Sequence, residues 1–166
     1  LLQTIIVGSV NLIFTVLAIL TVDKFGRKPL MIIGALGMAV SMFALGTTFF
    51  TETIGIAALI FMLIYVASFA MSWGPVCWVL LSEIFPNKIR GRALAVAVAA
   101  QWISNYLVSW TFPMMDKNTY LLEKFNHGLA YWIYGLMGIL AAILVLKFVT
   151  ETKRKPLEEM ERLWKK

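Results

Sequence analysis

Five apolar runs, each long enough to cross a bilayer as a helix, constrain this chain more than any motif in it. They cover residues 1–22, 30–50, 54–85, 93–112 and 128–148; a hydrocarbon core about 30 Å thick needs roughly 20 residues at helical rise. In lipid every backbone N–H and C=O must be bonded internally, so runs of this length fold as spanning helices. Short polar pieces separate them: a turn at 23–29, a turn at 51–53, a loop at 86–92, a longer loop at 113–127 and a tail at 149–166. The chain is 60% hydrophobic and 14% charged, against about a quarter charged in a soluble domain. The expected fold class is an all-α membrane protein with five transmembrane helices.

The net charge of +6 does not point to nucleic acid, because the basic residues sit in short clusters between apolar runs with no row of stacking aromatics beside them. They set topology instead. Of the 15 Lys and Arg residues, only Lys117 and Lys124 fall outside the turns and tail assigned to the cytoplasm, which predicts an external N-terminus and a cytoplasmic C-terminus. An odd number of spans starting outside is what remains when a six-span half loses its first helix. The chain opens directly into a full-length span, with neither an initiator Met nor a signal-peptide pattern, and reads as a fragment or processed piece. Cys77 is the single cysteine and His127 the single histidine, so neither a disulfide nor a metal site is expected.

The third run, 54–85, is too long for one straight crossing and is interrupted by Gly74-Pro75. Proline removes a donor and crowds the preceding turn, so a helix here breaks or bends. Broken backbone at membrane depth persists only where protein buries it or where it lines a wet cavity. Trp78 follows one turn later, then the lone acid Glu83, then the basic loop with Arg90 and Arg92. Amides occur deep in two other runs: Asn11 in the first, and Gln101 with Asn105 on one face of the fourth, beside Trp102. A buried amide in hydrocarbon needs partners, either neighbouring helices or a cavity. Gly34, Gly37, Ser41 and Gly46 form a close-packing surface on the second run, and Trp110, Tyr131, Trp132 and Tyr134 suit an interfacial aromatic belt. In the tail, Leu157, Met160 and Trp164 recur at helical spacing, as in a helix lying on the cytoplasmic membrane surface.

Several segments resemble the sugar-porter branch of the major facilitator superfamily: Asp23-Lys24-Phe25-Gly26-Arg27-Lys28, Gly74-Pro75-Val76-Cys77-Trp78, Glu83 with Pro86 and Arg90-Gly91, Gln101-Trp102-Ile103-Ser104-Asn105, and Glu151-Thr152-Lys153 with Leu157-Glu158-Glu159. The resemblance covers the whole chain and is strongest to the C-terminal half of the bacterial proton-coupled pentose carriers, relatives of the facilitative glucose transporters. It implies that the first run is the eighth of twelve helices and that the N-terminal half is missing. Thr150 and Arg154 depart from the family's P-E-T-K-G tail.

Also implied are a monosaccharide substrate such as D-xylose or a D-glucose-like sugar, a proton as coupling ion, and residence in a plasma membrane, the inner membrane for a bacterial carrier. The substrate would be held by Asn11, Gly74, Trp78, Gln101 and Trp102, with Gly74 and Pro75 as hinge. Asp23, Arg27, Glu83 and Arg90 would form a salt-bridge network that steadies one conformation. No cofactor is implied. The residue types suit a sugar, since amides offer donors and acceptors to hydroxyls while indoles offer a plate to the apolar ring face. A uniporter of the same family, a non-transporting sensor on the same fold and a membrane-embedded enzyme are the alternatives. The enzyme would require a carboxylate cluster or a His-rich set, and here the acids are scattered.

Overall fold

The computed structural model describes residues 1–53 and 55–153. Its helices are α1 (Leu2–Phe25), α2 (Arg27–Phe50), α3 (Ile56–Met71), α4 (Pro75–Ile84), α5 (Arg90–Asp116), α6 (Thr119–Phe125) and α7 (Gly128–Phe148). No strand occurs among the described residues. Five stretches are long and apolar enough to span a membrane, with α3 and α4 together forming the third. The expected surface helix over Leu157, Met160 and Trp164 lies outside the described residues.

Helix α2 is the centre. It packs along α7 on one side and α3 on the other; α1 lies against α3, while α5 touches α7, α4 and α6 only lightly. The small residues of α2 explain this. Gly34, Ala35, Ala39, Ser41 and Gly46 are all buried, and with no hydrophobic drive between helices in lipid, close backbone approach is what holds them together. A methyl group added at Gly128 of α7 would stand 2.6 Å from the Gly46 carbonyl oxygen. The hydroxyls along α2 bond their own helix, Ser41 to the Gly37 carbonyl at 2.7 Å and Thr47 to that of Phe43 at 2.8 Å, so they place no unsatisfied group in the interface. In contrast, α5 buries none of its residues.

The connections are tighter than the hydropathy suggests. The turn expected over 23–29 shrinks to Gly26, because α1 continues through the polar residues to Phe25 and α2 starts at Arg27. Gly26 has φ +94° and its N–H donates to the Val22 carbonyl at 3.0 Å, a left-handed conformation that glycine adopts without a side-chain penalty. The loop expected from residue 113 instead begins as helix: α5 accommodates Pro113 and runs on to Asp116, with the Lys117 N–H closing on the Pro113 carbonyl at 3.0 Å. Tyr131, Trp132 and Tyr134 are half-buried and pack between helices, with Phe49 stacked on Tyr131 at 4.9 Å and Phe112 on Tyr134 at 6.1 Å. Trp110 stays exposed.

Candidate functional site

Residues 72–74 separate α3 from α4. The N–H groups of Ser72 and Gly74 both turn back to the Phe69 carbonyl, at 3.2 and 3.0 Å, and Pro75 occupies the first position of α4, where its missing donor would have had no helical partner. The new helix has two unlike faces. Val76 and Leu80 are buried against Val22, Leu30, Met31 and Val145, whereas Trp78 is 40% exposed.

The five predicted binding residues lie on α1, α5 and the break into α4. Helix α4 is the element that touches both α1 and α5. Asn11, Trp78, Gln101 and Trp102 are exposed, and Gly74 is half-buried. The Asn11 amide oxygen accepts from Thr15 Oγ1 at 3.4 Å. Among the described residues, the Gln101 amide and the indole N–H groups of Trp78 and Trp102 have no partner, and none of the five bonds another. They are not wedged into dry helix contacts. A cleft of about 440 Å³ lies beside Gln3, Phe49 and Tyr131, another of about 320 Å³ beside Phe14, Gly34 and Ser72, and a third of about 380 Å³ beside Met38, Tyr65 and Tyr134; none of these three includes any of the five. Each of the four exposed side chains stands on an apolar helix, and those of Trp78, Gln101 and Trp102 carry hydrogen-bonding groups without a partner among the described residues.

At the end of the bundle holding Gly26, charged groups converge. Arg27 donates to Glu83 through both arms of a fork, Nη2 to Oε1 at 2.7 Å and Nε to Oε2 at 3.1 Å. Its remaining arm meets Asp23 Oδ1 at 3.0 Å. Such bidentate, charge-assisted pairs are the strong class of hydrogen bond. The Arg27 side chain is only 12% exposed and that of Glu83 28%, while Asp23 is 78% exposed and largely solvated. Arg90 does not join this cluster, contrary to expectation. Arg90, at the start of α5, turns its Nε to the Phe85 carbonyl at 3.3 Å.

Three further residues at this end had no role assigned from the sequence. The Glu151 carboxylate accepts from the backbone N–H of Arg27 at 3.0 Å and of Lys28 at 3.1 Å, and thereby caps α2, whose N-cap Gly26 has no side chain to do so. Thr152, buried, donates to Glu83 Oε2 at 2.5 Å, and Lys153 Nζ donates to the Lys24 carbonyl. The segment after α7 thus ties the starts of α2 and the end of α4 to one point. The signal available in the sequence was an acid and a hydroxyl directly after a span, but their partners stand 124 and 69 residues away.

Comparison with known proteins agrees with this architecture. Residues 1–164 match the family described as "Sugar (and other) transporter". The D-xylose-proton symporter of Escherichia coli strain K12 is 73% identical over 164 residues, covering 99% of this chain and 33% of that protein. The glucose facilitated diffusion protein of Zymomonas mobilis is 49% identical over 165 residues, covering 99% of this chain and 35% of that protein. Among solved structures, the inward-open xylose transporter XylE of E. coli superposes with a TM-score of 0.90 at 72% identity, covering 99% of this chain and 36% of the other. The chain spans about a third of the length of these relatives. All three are named as carriers, so the membrane-enzyme alternative has no counterpart among them. A multi-pass helical bundle with a broken third span and a charged cluster beside it, matched over nearly its full length, belongs to the sugar transporter family of the major facilitator type.

Proposed function

We propose that this chain is the C-terminal part of a secondary active monosaccharide carrier that works by alternating access, with D-xylose as sugar and a proton as coupling ion. The observation that carries the reading is the exposure of four side chains on α1, α4 and α5: Asn11, Trp78, Gln101 and Trp102 hold polar or indole groups on helices that are otherwise apolar. Unsatisfied amides in hydrocarbon are expensive, and a sugar between these side chains and a second half would satisfy them. The names of the E. coli and Z. mobilis relatives support the substrate class. The basic end faces the cytoplasm, with the start of α1 outside, by the distribution of Lys and Arg. Asp23, Arg27 and Glu83 act as a latch that stabilises the conformation in which they meet, and Gly74-Pro75 is the hinge.

Sugar binding to the complete transporter tests the site. Trp78→Ala and Gln101→Ala each remove a plate or a hydrogen-bonding amide and should weaken binding about tenfold, from roughly 1–1.5 kcal/mol each. Unchanged affinity in both would remove the assignment. The coupling ion is tested by uptake of labelled D-xylose into vesicles with and without a protonophore. A second reading, facilitated diffusion, is favoured by the 49% identity to the Z. mobilis protein and predicts uptake that a protonophore leaves unchanged. Joining the partner half upstream of Leu1 should restore uptake, and joining it downstream of Lys166 should not; the reverse result would assign this chain to the first half.

A further inference from the structure

Helix α4 is fastened to α2 at a second point, far from the charged cluster. The indole N–H of Trp73, in the break itself, donates to the Met31 carbonyl at 3.0 Å across the helix interface. Beside it, Ser72 is 1% exposed and occupies the space a side chain on Gly34 would need: a methyl added there would stand 1.7 Å from Ser72 Oγ. The Ser72 hydroxyl is satisfied by the Ser68 carbonyl at 2.6 Å, so the break is seated on α2 with nothing polar left over. Trp73 sits just before α4, whose Val76, Leu80 and Glu83 face α2, and Trp78, two residues on from Val76 and so about 160° around the helix from it, is exposed. The rotation of α4 that presents the Trp78 plate outward is therefore set where Trp73 is pinned.

We propose that Trp73 is a positioning residue for the sugar site: its hydrogen bond to Met31, seated by Gly34 and Ser72, fixes the rotation of α4 and with it the aim of Trp78. This rests on the reading of Trp78 as part of the sugar site. A hydrogen bond from the break to an interior carbonyl of α2 is independent of the Arg27–Glu83 pair, so α4 is held at both ends rather than swinging from its charged end alone.

Cys77 reports the seat directly, because it is half-buried against the cluster of Met31, Val76 and Leu80. In the complete transporter, alkylation of Cys77 by N-ethylmaleimide, read on its own peptide by mass spectrometry, should run about fivefold faster in Trp73→Phe, as expected from losing one hydrogen bond with the ring retained. D-xylose affinity should fall by a similar factor. Gly34→Ala forces Ser72 off its seat and should raise the Cys77 rate by an independent route if Trp73→Phe fails to fold. A cysteine placed at Ala142, buried in α7, should keep its slow rate, which separates a local lift of α4 from general loosening. An unchanged Cys77 rate in the variant that folds, or equal acceleration at position 142, overturns the proposal. If the unsubstituted transporter binds no sugar, the transport reading falls, while the Cys77 comparison still decides whether Trp73 holds α4.

Discussion

Replacing Glu83 by Gln removes a charge while keeping the shape of the side chain, and the geometry predicts what is lost. In the structure Oε1 accepts from Arg27 Nη2 at 2.7 Å, while Oε2 accepts from Arg27 Nε at 3.1 Å and from Thr152 at 2.5 Å. An amide has a single oxygen. Placed on the Oε2 side it keeps the Nε and Thr152 bonds, and its NH2 then faces Arg27 Nη2, donor against donor. Exposed ion pairs contribute about 0–1 kcal/mol, and charge-assisted bonds shielded from water about 1.5–3 kcal/mol. With Arg27 at 12% and Glu83 at 28% exposure, the pair belongs nearer the second class, and the loss should be about 2 kcal/mol, roughly 30-fold in the equilibrium that separates α4 from α2. The contact of Arg27 with Asp23 compensates little, because Asp23 is 78% exposed. Equilibrium unfolding of the complete transporter by sodium dodecyl sulfate in mixed micelles measures this. A double-mutant cycle over Glu83→Gln and Arg27→Gln should give a coupling of about 1.5–2 kcal/mol. A coupling below about 0.3 kcal/mol would refute the reasoning, since contacts that close should not be additive.

Substitutions at two further positions probe contacts that hold the ends of the bundle. Glu151→Gln keeps one acceptor but removes the charge facing the α2 N-terminus, and should lower stability in the same assay by about 1 kcal/mol; Glu151→Ala should lower it by about 2 kcal/mol. At the opposite end Asn126 has φ +48° and its Nδ2 donates to the Phe50 carbonyl at 2.8 Å. Asn126→Ala should cost about 2 kcal/mol, from a lost bond and an unfavourable φ, whereas Asn126→Gly should cost only about 1 kcal/mol. Equal losses for the two would show that the hydrogen bond alone matters there.

What could be read from the sequence was whatever depends on local physics. Spanning helices follow from run length, and the break at Gly74-Pro75 follows from proline's missing donor; the structure has both. The limits of the helices were less legible because hydropathy marks where the chain leaves lipid, and a helix continues past that boundary while its backbone can still bond. Asp23 to Phe25 and Pro113 to Asp116 are such extensions. Arg90 is a different case. A sequence pattern does not show which acceptor a guanidinium meets, and here Arg90 bonds the Phe85 carbonyl. The roles of Glu151 and Trp73 were hidden for the same reason, since each acts on a backbone group of α2 that no spacing rule connects to it.

The two faces of α4 impose a limit on how the proposed latch and the proposed sugar site can communicate. One face carries Val76, Leu80 and Glu83 against α2, and the other carries Trp78 into the open. A rigid ten-residue helix cannot move the second face without disturbing the first. Coupling between two sites cannot exceed the differential energy of the element that links them, and it is reciprocal. If the Arg27–Glu83 fork supplies about 2 kcal/mol to one conformation and nothing to the other, Glu83→Gln can change the apparent affinity for sugar by at most roughly 30-fold. Titration of the complete transporter with D-xylose, in the parent and in Glu83→Gln, gives this ratio. A larger change would mean that Glu83 reaches the sugar by a route other than the latch, and the separation of the two faces of α4 would have to be abandoned.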